Sequence, residues 1–316
     1  MNHNGRKKGV ARNSNLSKAK KAKNDEFYTQ LQDIVDEIAQ HSDYVKQFEG
    51  KTVLMNCDDP EWSAFVEFFR KFFKKLKLKK IIATHYNPDG SPSYKLEWYG
   101  EKIHGDTVNM IKTPLKGNGD FRSEECIELL KEADIVCTNE PFSLLREYVA
   151  QLIEYDKKFL IIGNKNALTY KEIFPLIKEN KIWLGYTSPN EFKIPSGEIT
   201  TKLKGLCRWF TNLEIDKRHE PLILTKNYKG NEDRYPKYDN YDAINCDKVA
   251  DIPKDYFLPI GVPITFLDHW CPEQFIIIGL DRYTVPKQFL VGGRLAIKEK
   301  PKYARILIQR IKEKEE

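Results

Sequence analysis

The chain has 316 residues, 41% of them hydrophobic and 31% charged, with a formal net charge of +6. That is enough apolar material for a sizeable core, yet no window approaches the roughly 18 to 20 continuous apolar residues of a membrane helix. The polar, basic N-terminus has no apolar segment behind it and does not read as a secretory signal. Six scattered cysteines without a CxxC pair suit reduced thiols in a cytoplasmic protein rather than a disulfide scaffold or zinc site.

In chain order, residues 1–24 form a basic arm carrying Arg6, Lys7, Lys8, Arg12, Lys18, Lys20, Lys21 and Lys23 and no acidic residue. A basic arm on a near-neutral body suits attraction to a polyanion, because neutralising phosphates releases counterions. VLMNC (53–57) reads as a buried strand. A helix is expected over 61–80, with Trp62, Phe65, Val66, Phe69, Phe72, Phe73 and Leu76 on one face and Arg70, Lys71, Lys74 and Lys75 on the other. KIIAT (80–84) is the next strand, and the loop-rich stretch 85–120 has room for a short hairpin. Ser123 is a suitable N-cap for a helix over 123–133. DIVCT (134–138), KFLIIG (158–163) and KIWLG (181–185) are further strands with helical stretches between them. This alternation indicates an α/β domain with a largely parallel sheet. Beyond about residue 200 the apolar runs GLCRWFTNL, PLILT and EQFIIIG stand between Pro-, Asp- and Tyr-rich loops, which points to β-structure with long loops and a soft boundary near residue 215.

The stretch TNEPF (138–142) lies between the strand IVC and the amphipathic run SLLREYVAQLIEY, at the kind of strand-to-helix turn where α/β proteins place chemistry. Its parts suit an exocyclic amine of a base. Such an amine is a poor nucleophile because its lone pair is delocalised into the ring. Two acceptors aimed at its N–H bonds localise that pair, and Asn139 with the carbonyl of Glu140 can supply them. Phe142 can stack on a base swung out of a duplex. Pro141 biases residue 140 towards an extended conformation and so aims its carbonyl. The role assigned to position 140 uses a carbonyl, which every residue has, so the glutamate side chain does not by itself forbid the chemistry. A carboxylate there would attract a cationic methyl donor and repel DNA phosphates. Alone, so short a stretch is also compatible with an ordinary turn.

The run TNEPFSLLREYVAQLIEYDKKFLIIGNKNALTYKEIFPLIKENKIWLG resembles the EcoRI-type adenine-specific DNA methyltransferases. So do KAKKAKNDEFYTQ (18–30), MNCDDP (55–60), GNGDFRSEECIELLKEADIV (117–136), CRWFTNL (207–213) and GVPITFL (261–267). The resemblance runs in order from about residue 11 to about 280. In that family the loop normally reads Asn-Pro-Pro-Phe, and Glu140 here replaces the first proline.

The resemblance implies a Rossmann-like S-adenosylmethionine-dependent methyltransferase core, with a mostly parallel sheet, over 25–215 and a DNA target-recognition region over 216–316. It implies methyl transfer to N6 of a flipped adenine in double-stranded DNA, in the manner of restriction-modification enzymes, with alignment of the reactants carrying most of the work. A cognate restriction endonuclease acting on the same site, without a stable complex, would be the companion. Tyr28 and Thr29 would lie over the methionine moiety of the cofactor. Asn56, Cys57, Asp58 and Asp59 stand where a Gly-rich cofactor loop is usual, although Asp59 also suits a helix cap. Asp120 and Phe121 would meet the cofactor's adenine. Trp209 and Phe210 would approach the target base, or else be two core aromatics on a strand. Arg218, Arg234, Lys237, Arg282 and Arg294 are candidate DNA contacts. No metal is expected.

Three other readings compete. Glu140 could make the chain a silent homologue that binds cofactor and DNA without transferring methyl. The substrate could be RNA or a glutamine side chain, which the basic arm and the long C-terminal region disfavour. Glu191-Phe192-Lys193 has the E-x-K form of metal-dependent nucleases, but the nearest Pro-Asp, at 88–89, stands about a hundred residues upstream.

Overall fold

The computed structural model describes residues 28–57, 59–100, 110–194 and 197–312. Among the described residues an eight-stranded sheet holds the centre, in the order β5-β4-β3-β2-β6-β7-β11-β8. Its strands are β2 (Thr52–Met55), β3 (Lys80–Thr84), β4 (Tyr94–Trp98), β5 (Ile111–Pro114), β6 (Ile135–Thr138), β7 (Lys158–Asn164), β8 (Trp183–Leu184) and β11 (Cys207–Thr211). Parallel pairings join β3 to β2, β2 to β6 and β6 to β7. The flanking pairings are antiparallel: β4 and β5 fold back as the expected hairpin on one side, and β11 enters between β7 and β8 on the other. The expected largely parallel sheet is therefore a parallel centre with antiparallel wings. Hairpin and insertion pairings depend on how the chain returns, which strand periodicity does not encode.

The period-two alternation of strand side chains builds a core on each face of this sheet. Val53, Met55, Ile81, Ala83, Ile135, Cys137, Leu160 and Ile162 point to one side. There they meet α1 (Leu31–Ile38) and α3 (Ala64–Phe72), through Ile34, Ile38, Phe65 and Phe69. Leu54, Ile82, Val136, Phe159 and Ile161 point to the other, against α4 (Glu124–Glu132) and α5 (Leu145–Glu154). Each fully buried Phe on α3 contributes about 1.5–3 kcal/mol relative to exposure. Helix α3 is shorter than the expected 61–80, because Ser63 sets its start by accepting the Val66 amide at 3.3 Å. Trp62 falls in the turn before it and is exposed rather than on the apolar face. Ser123 caps α4 in the same way, accepting the Cys126 amide at 3.3 Å.

The C-terminal part adds a four-stranded sheet in the order β12-β13-β17-β14. These strands are β12 (Ile244–Asn245), β13 (Ile260–Pro263), β14 (Phe275–Leu280) and β17 (Arg305–Arg310). PLILT forms no strand. Apolar residues of this sheet, among them Ile260, Phe275 and Ile306, share one continuous core with α5 and the face of the large sheet that carries Val136 and Phe159. A small three-stranded sheet, β1 (Tyr28–Thr29), β9 (Phe192–Lys193) and β10 (Ile199–Thr200), is hydrogen-bonded to neither, and its Phe192 joins the core on the α1 and α3 face of the large sheet. No described helix is long and apolar enough to cross a membrane.

Candidate active site

Along the large sheet, the chain steps from β2 to β3 in one direction and later to β6 and β7 in the other. Such a reversal leaves a crevice at the carboxyl ends of the two central strands. Here those strands are β2 and β6, paired in parallel through Val53–Ile135 and Leu54–Val136. One delivers Asn56 and Cys57, and the other Thr138, Asn139 and Glu140. The Cys57 amide donates to Thr138 Oγ1 at 3.2 Å, tying the strand ends together. A turn closed by the Leu144 amide on the Pro141 carbonyl at 2.7 Å then starts α5. The first turn of α5 returns Tyr148, whose hydroxyl donates to Asn56 Oδ1. The Tyr148 ring meets Phe121 edge-on, with centroids 5.0 Å apart. The TNEPF loop, Asn56, Cys57 and Phe121 are thus brought together, with Tyr148 bonded to Asn56 and packed against Phe121. Sequence reasoning passed over Tyr148; the one signal was a hydroxyl-bearing ring on the apolar stripe of an amphipathic helix.

The electrostatics of the loop are unusual. Asn139 and Glu140 are buried, Glu140 to 1% exposure, while Pro141 and Phe142 are half-buried. Neither carboxyl oxygen of Glu140 has a hydrogen-bond partner among the described residues beyond its own backbone amide. Burial pushes this carboxyl well above the usual carboxylate range. Tyr148 and Cys207 are the titratable groups that feel its charge. Burial also drives the Cys207 thiol up to about 12, and Glu140 adds to that. Asp120 is the opposite case: hydrogen bonds from Arg122, at 2.6 and 2.8 Å, hold its carboxyl below the usual range. Arg122 also reaches Glu147 on α5 at 3.4 Å. Gly119, at φ +81°, brings this segment so close to the His85 carbonyl that a Cβ there would collide with it.

The remaining candidates fall into groups. Tyr28 and Thr29 pair with Lys193 and Phe192. Lys193 Nζ sits 5.4 Å over the Trp62 ring, which brings β1 beside the loop that follows β2. Thr29 Oγ1 is buried and has no partner among the described residues. Asp58 and the basic arm 1–24 lie outside the described residues. Asp59 accepts the Glu61 amide at 2.9 Å and stands 3.6 Å from His85 Nε2; Ser63, not Asp59, caps α3. Of the Glu-x-Lys stretch, Phe192 and Lys193 form strand β9 and Glu191 precedes it.

Two expectations for base contact are corrected. Trp209 and Phe210 are fully buried on β11, facing opposite cores. Trp209 packs edge-on against Phe65 and donates its indole N–H to Thr187 Oγ1 at 2.9 Å. Neither offers a face to a base, because alternation on a strand inside the sheet sends both rings inward. Arg218 is likewise committed: its guanidinium lies 3.7 Å over the Trp183 ring and donates to Asn180. Arg282 donates to the Thr169 carbonyl and Arg294 pairs with Asp281 at 3.0 Å. Arg234 and Lys237 are exposed, the latter 3.6 Å from Asp242.

A mixed α/β sheet with an Asn-x-Pro-Phe loop at its switch point is the arrangement expected of one class, the amino-group methyltransferases. Comparison with known proteins makes this specific. A family model described as "Adenine-specific methyltransferase EcoRI" matches residues 15–311, and the chain belongs to that family. It is 45% identical to the Type II methyltransferase M.EcoRI of Escherichia coli, over 95% of this chain and 97% of that protein. It is 42% identical to the Type II methyltransferase M.MpnI of Mycoplasma pneumoniae, over 83% of this chain and 84% of that protein. It is 41% identical to the Type II methyltransferase M.MgeORF184P of Mycoplasma genitalium, over 83% of this chain and 85% of that protein. No solved structure matches the chain. The chain is an adenine-specific DNA methyltransferase.

Proposed function

We propose that the chain transfers a methyl group from S-adenosylmethionine to N6 of an adenine flipped out of double-stranded DNA, at one short sequence. The observation that carries this reading is the position of Asn139–Phe142 on the carboxyl end of β6, tied through Tyr148 to Asn56 at the end of β2. Asn139 Oδ1 and the carbonyl of Glu140 accept the two N6 hydrogens, and Phe142 stacks on the base. No general base is required, since the N6 proton becomes acidic once the nitrogen is alkylated. Reactive geometry is supplied by positioning.

The crevice fits the donor on its own residues. Asn56 Nδ2 and Thr29 Oγ1 are buried donors with no partner among the described residues, and Glu140 is a buried acceptor in the same state. Bound there, S-adenosylmethionine would supply a methyl group on a cationic sulfur. Asn56, Cys57 and Asp59 would hold it from the end of β2, Tyr28 and Thr29 from β1, and Phe121 would pack on its adenine. Asp120 would share its carboxylate between Arg122 and the adenine amine. We assign residues 25–215 to this Rossmann-like core, a reading supported by the parallel order β3-β2-β6-β7 and the antiparallel strand beyond it. Residues 216–316 would recognise DNA, with exposed Arg234 and Lys237 as contacts and the basic arm adding attraction to phosphates. A cytoplasmic setting and a companion endonuclease without a stable complex complete the proposal.

The test is expression in a host lacking adenine methyltransferases, with single-molecule sequencing of its DNA. N6-methyladenine at one short motif is the expected result. Its absence, from a soluble protein that binds S-adenosylmethionine, would favour the second reading, a silent homologue, for which the buried carboxyl of Glu140 is the specific observation. Glu140→Pro would then restore methylation.

A further inference from the structure

The surroundings of Glu140 are those of a group awaiting a partner. It is 1% exposed, and neither carboxyl oxygen is bonded among the described residues beyond its own amide. A buried polar group in this state costs stability unless something compensates it. Among the described residues, the groups coupled to it carry no positive charge: Tyr148 from α5, itself beside Cys57 at the end of β2, and Cys207 from the start of β11, with burial keeping the Tyr148 and Cys207 protons in place. Cys207 in turn couples to the cation of Arg208. Arg208 points away to Asp268, at 3.2 Å, and to Ser188. The carboxyl therefore lies neutral and buried next to Asn139, just past the carboxyl end of β6, on the side of the sheet assigned above to a cationic donor.

We propose that Glu140 is a proton-coupled counter-ion for the methyl donor: binding of the sulfonium cation ionises its carboxyl and expels a proton, and the neutral thioether product does neither. This rests on the donor reading given under Proposed function. A cation brought against a buried acid favours its charged form and offsets the desolvation that kept it neutral. The balance closes at each stage. On donor binding, the Glu140 proton leaves to solvent and the carboxylate faces the sulfonium. After transfer, the S–CH3 bonding pair remains on sulfur, N6 has gained the methyl and lost a proton, and Glu140 takes up a proton as the positive charge beside it disappears. The site would thereby distinguish substrate cofactor from product cofactor, a discrimination that proline at this position cannot make.

Calorimetric titration of the full chain with S-adenosylmethionine and with S-adenosylhomocysteine, each in two buffers of different ionisation enthalpy, tests this. The wild type is expected to release about one proton per bound S-adenosylmethionine and none with the thioether, and its affinity for the former should rise about tenfold per pH unit below the carboxyl's own titration. Glu140→Gln, close in size, should bind both ligands without proton release and with pH-independent affinity. Glu140→Pro should do the same, and guards against a packing fault in the first variant. Equal proton counts for the two ligands in the wild type, or proton release surviving in both variants, would overturn the proposal while leaving the donor assignment intact. Binding of neither ligand would instead remove the donor assignment, and this inference with it.

Discussion

Two buried glutamates sit at opposite ends of one contrast. Glu37, on α1, is fully buried, and both its oxygens are in use. Oε1 accepts the Tyr186 amide at 2.8 Å and lies 3.0 Å from His41 Nε2; Oε2 accepts the Thr187 amide at 2.7 Å and the Thr187 hydroxyl at 2.8 Å. Thr187 Oγ1 in turn takes the indole N–H of Trp209. Gly185 lets the chain run so close that a Cβ would strike the Glu37 carboxyl. Glu140 is as deeply buried and has none of this. Folding pays the desolvation cost of a buried carboxyl only with compensating bonds. Glu37 is thus a structural rivet whose bonds are complete in the folded chain. The unsatisfied carboxyl of Glu140 marks the place where the fold leaves bonds for something else to make.

The largest effect expected from breaking the contrast is on the satisfied side. Glu37→Ala strands two amides and a hydroxyl, and should cost about 3–5 kcal/mol in denaturant unfolding. Removing Glu140 should cost nothing comparable, since no bond is lost with it. If the two variants were equally destabilised, the distinction between rivet and reserve would fail. Next in size is Asn139→Ala, which removes one of the two acceptors for the amine. Its turnover should drop by about 10²–10³-fold, with unfolding midpoint and cofactor binding close to wild type. A matching loss of cofactor affinity would move Asn139 from the reacting amine to the donor.

The pH dependence of stability sharpens the contrast further. Burial raises the folded-state titration of Glu140 well above that of the unfolded chain. The folded form therefore holds its proton more tightly, so this stabilising contribution is complete below the unfolded carboxylate range and is lost as pH rises towards the folded value. Cofactor-free wild type should lose stability over that interval relative to Glu140→Gln, by at most about 1.4 kcal/mol per pH unit. Parallel curves for the two proteins would mean that the carboxyl is ionised and compensated after all. Tyr148→Phe comes next. It removes the bond to the buried Asn56 Oδ1 and should cost about 1 kcal/mol, with a weaker hold on the cofactor as its second readout.

The two glutamates also mark what a sequence can and cannot disclose. Short-range patterns were legible: the Phe65–Phe69 face of α3, the cap at Ser123, and the buried strands β2, β3 and β6 all lie within a few residues of chain, whereas the cap of α3 falls at Ser63 and not at the expected Asp59. The TNEPF stretch was legible as a strand-to-helix turn because that signal is local too. Glu37 was not, since its partners at Tyr186 and Thr187 lie about 150 residues away. The insertion of β11 between β7 and β8 is equally non-local, and of the two readings open for Trp209 and Phe210, base contact or core, it gives core. Tyr148 was hidden differently: an aromatic on an apolar helical stripe reads as packing until the strand opposite it is known to end in Asn56.

A third carboxyl lies between the two extremes. Asp33 stands one turn before Glu37 on the same helix, half-buried, with Oδ2 enclosed and without a partner among the described residues. Burial, followed by the charges of Asp36 and Glu191, raises its carboxyl to about 6. Its ordinary value is 3.8, so the folded chain binds this proton more tightly than the unfolded one. The associated stability is present below about pH 4 and disappears as pH rises through about 6. Asp33→Asn should remove that slope and leave the protein slightly more stable than wild type at neutral pH. The gain should be the smallest of the series, because Asp33 is only half-buried and solvent screens the repulsion from Asp36 and Glu191. Thermal melts of the two proteins from pH 4 to pH 7 measure it. Curves that converge at pH 4 and separate by pH 7 are expected. Curves that stay together would place Asp33 with Glu37, its bonds already complete.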